Sequence, residues 1–400
     1  MLQLLIIGGG IHGTHLAHRL LHDTNLTHDD IRILDPHKNL LHEWERCTRS
    51  CGMHYLRSPS VHHIDIDPFS LDKFAALPEN RQASNFIAPK DRPSLNLFHK
   101  HCRMVIDSHF LESLPIQGTA LELMNHINYV SVVTNGETIA ARMILLAMGM
   151  NNQPLWPPWA IRLREQGAAV DHVFDPDFQL DATENSGPIA VVGSGISGAQ
   201  LALHLIEKGF DGVLLVSKKA LQVNDFDFAP GWLGPKHLDH FIRQSLDERR
   251  QRIKAARKKG SIPQDTKAMI DNAIAEKQIT CVVDDITDGK YQAGSLLLSG
   301  RHGQYACGQV LLATGFRDER PGNGFIAQTI KEFHLKTAPC GFPVVGPSLQ
   351  WHERIFVSGP LSELQIGPCA RNIAGARHAG RRITAAFNKE SIPSPPSKVM

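Results

Sequence analysis

Three observations predict an α/β fold built from two similar units, the second inserted into the first. The stretch LQLLIIGGGIHGTHLAHRLL (Leu2–Leu21) reads as a buried strand, a glycine turn and a helix. The stretch IAVVGSGISGAQLALHLIEKG (Ile189–Gly209) repeats that order. Two apolar strands that end in glycine, MILLAMG before Met150 and QVLLATGF before Arg317, complete one unit each. Each unit is a Rossmann-like dinucleotide-binding domain in outline. The expected division is residues 1–150 and 316–388 for the first domain and 151–186 for a linker. Residues 187–315 form the second domain, with a helical insertion at about 222–277, and 389–400 form a disordered tail.

In chain order, Leu4–Ile7 is the first strand and Thr14–Leu21 helix. IRILD (Ile31–Asp35) is the neighbouring strand. The segment from Pro36 to Pro93 is rich in His, Arg and Pro and has no clean periodicity. LNLFHKHCRMVI (Leu95–Ile106) has helical spacing, and Tyr129–Gly149 reads as strands about an Asn135-Gly136 turn. NNQPLWPPW (Asn151–Trp159) is a proline-rich crossing between domains. GVLLVSKK (Gly212–Lys219) follows the second glycine turn, and RIFVSG (Arg354–Gly359) is the last strand before a helix from about Pro368 to Phe387.

Composition narrows the function. A formal net charge of +2 and 20% charged residues give no field for nucleic acid or a membrane surface. Seven scattered cysteines argue for a reducing, cytoplasmic setting, and the apolar N-terminus has neither the basic start nor the length of a signal peptide. The basic run Asp247–Gly260 reads as a solvated helix face. His62, His63, Asp65 and Asp67 lie together in sequence but lack a metal-binding spacing, so no metal is expected.

The glycine turns carry chemistry. In such a turn the first Gly makes the bend, the second admits a diphosphate and the third lets helix pack on strand. Gly8, Gly10 and Gly13 fill these places, and Asp35, 22 residues past Gly13, is placed to bind a ribose. Gly193, Gly195 and Gly198 repeat the pattern. Nineteen residues past Gly198 the strand ends in Ser217, Lys218 and Lys219 instead of an acid, which suits a ribose 2′-phosphate. The expectation is a resident FAD at the first turn and a visiting NADPH at the second.

With LLATGFRDERP (Leu311–Pro321) added, the chain resembles the class B flavoprotein monooxygenases. These include the flavin-containing monooxygenases and the N-hydroxylating enzymes that act on lysine or ornithine. Leu312-Ala313-Thr314-Gly315-Phe316, four residues and Pro321 match the family's late motif, although Gly308 stands where an acidic residue is usual. The Baeyer–Villiger signature is missing from GAAVDHVFDPDF (Gly167–Phe178), where His172 either positions a nicotinamide or caps the surface. The resemblance implies NADPH reduction of FAD, then transfer of one oxygen atom from a C4a-(hydro)peroxyflavin to nitrogen or sulfur of a small molecule, with O2 as co-substrate. It assigns Thr314, Gly315, Gly359, Gln365, Ile366 and Gly367 to the cofactors. Trp44, Met53 and Arg57, with Arg46 and Arg49, become candidates near the flavin or substrate. The insertion around Trp232 is either a lid or a contact in a homo-oligomer. Two alternatives remain: a flavin thiol/disulfide oxidoreductase using Cys47 and Cys51, and an NADPH oxidase or nucleotide-binding sensor.

Overall fold

The computed structural model describes residues 1–88, 91–150, 152–180, 187–292 and 294–389. The expected tail lies outside the described residues apart from its first member, Lys389, which ends a helix.

The first sheet is centred on Leu2–Ile7. Its strands run in the order Gln350–His352, Ile355–Val357, Thr138–Leu146, Leu2–Ile7, Ile31–Asp35 and Pro115–Gln117. The meander Ala120–Asn125 and Val130–Thr134 is attached to Thr138–Leu146. The central strand is parallel to both neighbours, with Leu4 opposite Ile31 on one side and Met143 on the other. Side chains on a strand alternate between faces, so this strand feeds two cores. Leu4 and Ile6 join Leu16, Leu20 and Ile383 under the helices Ile11–Asp23 and Ile373–Lys389. Leu5 and Ile7 join Leu123, Val132 and Ile355 beneath the meander. Leu4, Leu5 and Ile6 are wholly buried, which explains the unbroken apolar run. The two helices approach closely at Gly380, where an added Cβ would sit 2.8 Å from Arg19 Cδ.

The second sheet is parallel throughout, in the order Ile279–Val283, Val213–Ser217, Ile189–Val192, Gln309–Leu312 and Val170–His172. Ile189 and Val191 face the helix Ile196–Glu207, whereas Ala190 faces a separate core beneath the three-stranded sheet Asp288–Gln292, Ser295–Ser299 and Gln304–Cys307.

Three expectations are corrected. The span read as a linker contains the helix Pro158–Glu165 and the edge strand Val170–His172, so it belongs largely to the second domain. A three-residue strand is too short to show periodicity, and its parallel pairing with Gln309–Leu312 is what marks it. Second, the basic run is not simply solvated. Arg250 and Ile253 of the helix Leu246–Ala256 are buried, and Arg250 bonds to the fully buried Glu363. Third, no single helix starts at Pro368. Gly367–Arg371 is a 3-10 turn, Asn372 is extended (φ −115°, ψ 167°), and the helix begins at Ile373.

The insertion forms the helices Pro235–Phe241, Leu246–Ala256 and Gln264–Ala275. The middle one starts in a capping box between Ser245 and Glu248, which satisfies donors left open at a helix start. Trp232, Phe241 and Ile253 pack into the first domain's core, and Ile262 and Ile270 into the second's. The insertion therefore ties the domains together.

Candidate functional site

The two glycine turns are built alike. Gly8 has φ +112°, and a Cβ there would lie 2.7 Å from the carbonyl oxygen of Ala147. Gly193 has φ +122°, and a Cβ there would lie 2.4 Å from the carbonyl oxygen of Ala313. Each first glycine thus sits against the residue that follows the neighbouring apolar strand. The third glycines are as tightly held, with Gly13 backed by the Gly8 carbonyl and Gly198 by that of Gly193. The middle glycines differ: a Cβ on Gly10 would meet nothing within 4 Å, and one on Gly195 only Gly260 Cα at 3.7 Å. Each helix thereby presents an open N-terminus, the arrangement that receives a diphosphate.

At the end of the neighbouring strand, Asp35 accepts bonds from the backbone N–H of Gly9 (2.7 Å) and of His37 (2.9 Å). Its carboxylate is fixed beside the turn with lone pairs to spare. At the second turn, the Ser217 hydroxyl pairs with Ser194 and donates to the Lys219 carbonyl. Lys218 extends into solvent and meets Asp285 at 2.8 Å. Asp285 follows the adjacent strand, so proximity in the sequence could not reveal it.

A cavity of about 200 Å³ lies between the domains, lined by Arg57, His62, Phe226, Asp227, Asn372 and Ala374 among others. Hydrogen bonds lead from its wall toward each turn. On the first side, His12 follows Gly10 by two residues, and its Nε2 donates to the Asn372 carbonyl at 3.2 Å while Nδ1 accepts from Ser358 at 2.8 Å. Burial lowers the His12 pKa to about 4, against the raising effect of the Asn372 carbonyl, and keeps the imidazole neutral. On the second side, Arg57 donates to Asp227 Oδ1 at 2.6 Å and to the Ser261 hydroxyl at 2.8 Å. It also reaches the carbonyls of Asn224 at 2.6 Å and Phe226 at 3.0 Å. Ser261 adjoins Gly260, the residue over Gly195. Asn372 Nδ2 donates to Asp227 Oδ2 at 2.6 Å, while Asn372 Oδ1 is buried without a partner.

The other expected site residues are dispersed. Trp44 packs against Phe98 at 5.7 Å between ring centres, and Met53 lies on the first core. Arg46 is taken up by Glu43 and by the carbonyls of Phe174 and Asp175, and Arg49 is exposed. Thr314 donates to the Leu155 carbonyl and meets His172 Nε2 at 3.1 Å; Gly315 accepts from the Leu155 N–H at 2.8 Å. His172 is wholly buried, and that burial lowers its pKa to about 4, so it pins the late motif in place instead of facing the surface. Gly359, with φ +66°, lies near His12 and the Met148 carbonyl. Gln365 meets Arg249 at 3.5 Å, Ile366 is wholly buried, and Gly367 supports the Trp232 ring. Sequence reasoning missed His12, Asp227 and Asn372. Only His12 left a signal, since it stands inside the glycine motif itself.

Cys47 and Cys51 are both free thiols. Burial raises each pKa to about 12, with Cys47 itself adding to the effect at Cys51. A reactive thiol needs the opposite shift.

These features define a two-domain protein that carries two dinucleotide-type glycine turns and a cavity walled by the first domain and the insertion. Residues 111–284 match the model of the L-lysine 6-monooxygenase/L-ornithine 5-monooxygenase family. That span runs through the second turn and the insertion. No curated protein matches the chain by sequence. Among solved structures, the chain is similar to the cadaverine monooxygenase of desferrioxamine biosynthesis from Erwinia amylovora, bound to FAD. The identity is 13% and the TM-score 0.76, over 97% of this chain and 95% of that one. An ornithine N-hydroxylase from Kutzneria, with reduced FAD, NADP+ and L-ornithine, is 12% identical with a TM-score of 0.74, over 97% and 99%. A bacillithiol disulfide reductase from Staphylococcus aureus is 16% identical with a TM-score of 0.64, over 98% and 99%. These likenesses establish the fold.

Proposed function

We propose that the protein is an FAD-dependent, NADPH-using monooxygenase that places one oxygen atom from O2 on the nitrogen of a small primary amine. The observation that supports this reading is one cavity whose wall bonds to His12, inside the first glycine turn, through Asn372, and to Ser261, beside the residue over the second, through Arg57. The family match over residues 111–284 favours nitrogen over sulfur.

The residues fit the cofactors. The space beside Gly10 and the unpartnered Asn372 Oδ1 suit a bound dinucleotide and its ring system. Gly8, Gly10 and Gly13 would hold the FAD diphosphate, and Asp35 its ribose. Gly193, Gly195 and Gly198 would hold NADPH, with Ser217, Lys218 and Lys219 toward its 2′-phosphate. When bound, FAD supplies the redox chemistry, accepting hydride from NADPH and activating O2.

The chain's own groups bind, orient and exclude water. Asp227 is the acidic wall of the cavity and would accept hydrogen bonds from a substrate ammonium, which must release one proton to solvent before its nitrogen has a lone pair to take the oxygen. Arg57 and Asn372 hold that carboxylate at 2.6 Å each and fix its direction. His62 stays neutral at physiological pH, since burial and then Arg377 lower its pKa to about 4, so it adds no charge against a cationic substrate. The small cavity suits a substrate of few heavy atoms.

The test is NADPH oxidation by purified protein across primary amines, diamines and basic amino acids, with hydroxylamine and peroxide measured together. One hydroxylamine per NADPH with some member of the panel is the expected result. NADPH consumption that yields only hydrogen peroxide throughout would make the protein an oxidase.

A further inference from the structure

Among the described residues, three groups bring imidazoles and carboxylates close enough to share an ion: His18, Asp65 and His109; His37, His42 and Glu43; and His54, His204 and Glu207. In the second group, Glu43 is already held on both oxygens by Arg46, and the two imidazoles stack at 3.9 Å. In the first, Asp65 Oδ1 is engaged by its neighbour's N–H, from Ile66, and the His18 and His109 rings crowd each other at 4.1 Å, tilted by 49°. The stacked pair of the second group aims its in-plane lone pairs past one another. The third group is arranged differently.

His54 Nε2 lies 2.9 Å from Glu207 Oε2, and His204 Nδ1 lies 3.3 Å from the same oxygen. The rings meet edge-on at 6.3 Å, so their nitrogens converge instead of stacking. Ligands at ~2.1 Å from a tetrahedral zinc stand roughly 3.4 Å from each other, close to the spacing already present. His204 and Glu207 sit at i and i+3 on the last turn of the helix Ile196–Glu207, which puts both on one face. His54 comes from the other domain, on the loop after the helix His42–Ser50.

The loop is shaped to bring His54 there. Gly52 has φ +59°, and a Cβ on it would lie 2.3 Å from His204 Cγ, so the imidazole rests directly on the loop backbone. One helical turn earlier, Gln200 reaches the Tyr55 carbonyl at 3.5 Å. The same helix face therefore holds both ends of the segment that presents His54.

We propose that His54, His204 and Glu207 form a site for a divalent late-transition-metal ion, zinc by preference, that braces the first domain's loop against the helix of the second turn. Two imidazoles and one carboxylate match zinc, with solvent in the fourth position. The loop continues through Tyr55 and Leu56 to Arg57, so an ion here would stiffen the segment that forms one wall of the cavity.

The experiment is equilibrium dialysis of the full-length, flavin-loaded protein against zinc chloride, with retained metal read by atomic emission. The probe variants are His54→Asn and Glu207→Gln, the more exposed ligands, because His204 is packed on Gly52 and its loss disturbs the loop. Circular dichroism confirms that each variant is folded. The expected result is one zinc per chain at micromolar concentration and at least a tenfold weaker affinity in either variant. No retained zinc, or retention unchanged in both folded variants, overturns the site.

Discussion

Residue by residue, the two turns depend on a few atoms with no freedom to move. Gly8 and Gly193 each face a backbone carbonyl within 2.7 Å of where a Cβ would be, and a carbonyl cannot swing aside as a side chain does. Gly8→Ala is expected to lose FAD, seen as loss of the yellow spectrum. Gly193→Ala is expected to retain FAD but lose its anaerobic reduction by NADPH. Both variants losing flavin equally would mean that the turns do not divide the cofactors as assigned. Lys218 tests the phosphate preference. It meets Asp285 at 2.8 Å, a partner that must be displaced or shared on binding. Lys218→Glu should raise KM for NADPH about tenfold, or ~1.4 kcal/mol, with little change for NADH. An equal rise for both cofactors would count against a 2′-phosphate contact. The glycines and Asp35 were legible because their spacing is local. Arg57 bonds to Asp227, 170 residues away, and Asn372 to Asp227, 145 away. A single sequence carries no sign of such pairs, so Arg57 appeared only as a loose candidate and the other two not at all.

At the scale of the element, the insertion is decisive. Its composition predicted helices, and three form, but which surface they cover depends on tertiary packing. Trp232 is 7% exposed, meets Phe241 edge-on at 5.3 Å and rests on Gly367. It therefore anchors the insertion on the first domain beside the cavity residues Asp227 and Phe228. Trp232→Ala should destabilise the protein by about 3–5 kcal/mol. It should also divert NADPH oxidation toward peroxide while the FAD content of the folded fraction stays constant. Unchanged coupling would make the insertion a structural brace only. The C-terminal helix teaches a similar lesson. The sequence favours a start at Pro368, since proline suits a first turn. The Asn372 N–H bonds to the Cys369 carbonyl at 2.9 Å and closes a separate turn, which moves the helix start to Ile373 at the cavity wall.

In the molecule as a whole, two domains, the second inserted in the chain of the first, share an interface stitched by Arg57, Trp232 and Arg250. The fold class was legible because the glycine motif appears twice; the edge strand Val170–His172 was not, because three residues show no period. No described helix is long and apolar enough to cross a membrane. The interior holds many neutral histidines. Burial lowers the pKa of His12, His62, His63 and His172 to about 4, and of His15 and His101 to about 3. Below their ordinary value of 6.5 the unfolded chain binds protons that the native state does not, so stability falls as pH drops from 6.5 toward 4. Thermal melts should show Tm decreasing steadily from pH 7 to pH 5; a flat profile would show that these imidazoles are solvated. A reaction under ¹⁸O2 with NADPH and an amine that the protein accepts asks whether both turns serve one oxygen-transferring cavity. The expected product is a hydroxylamine carrying one labelled oxygen, formed in step with NADPH loss. Unlabelled product, or label found only in peroxide and water, would contradict that assignment.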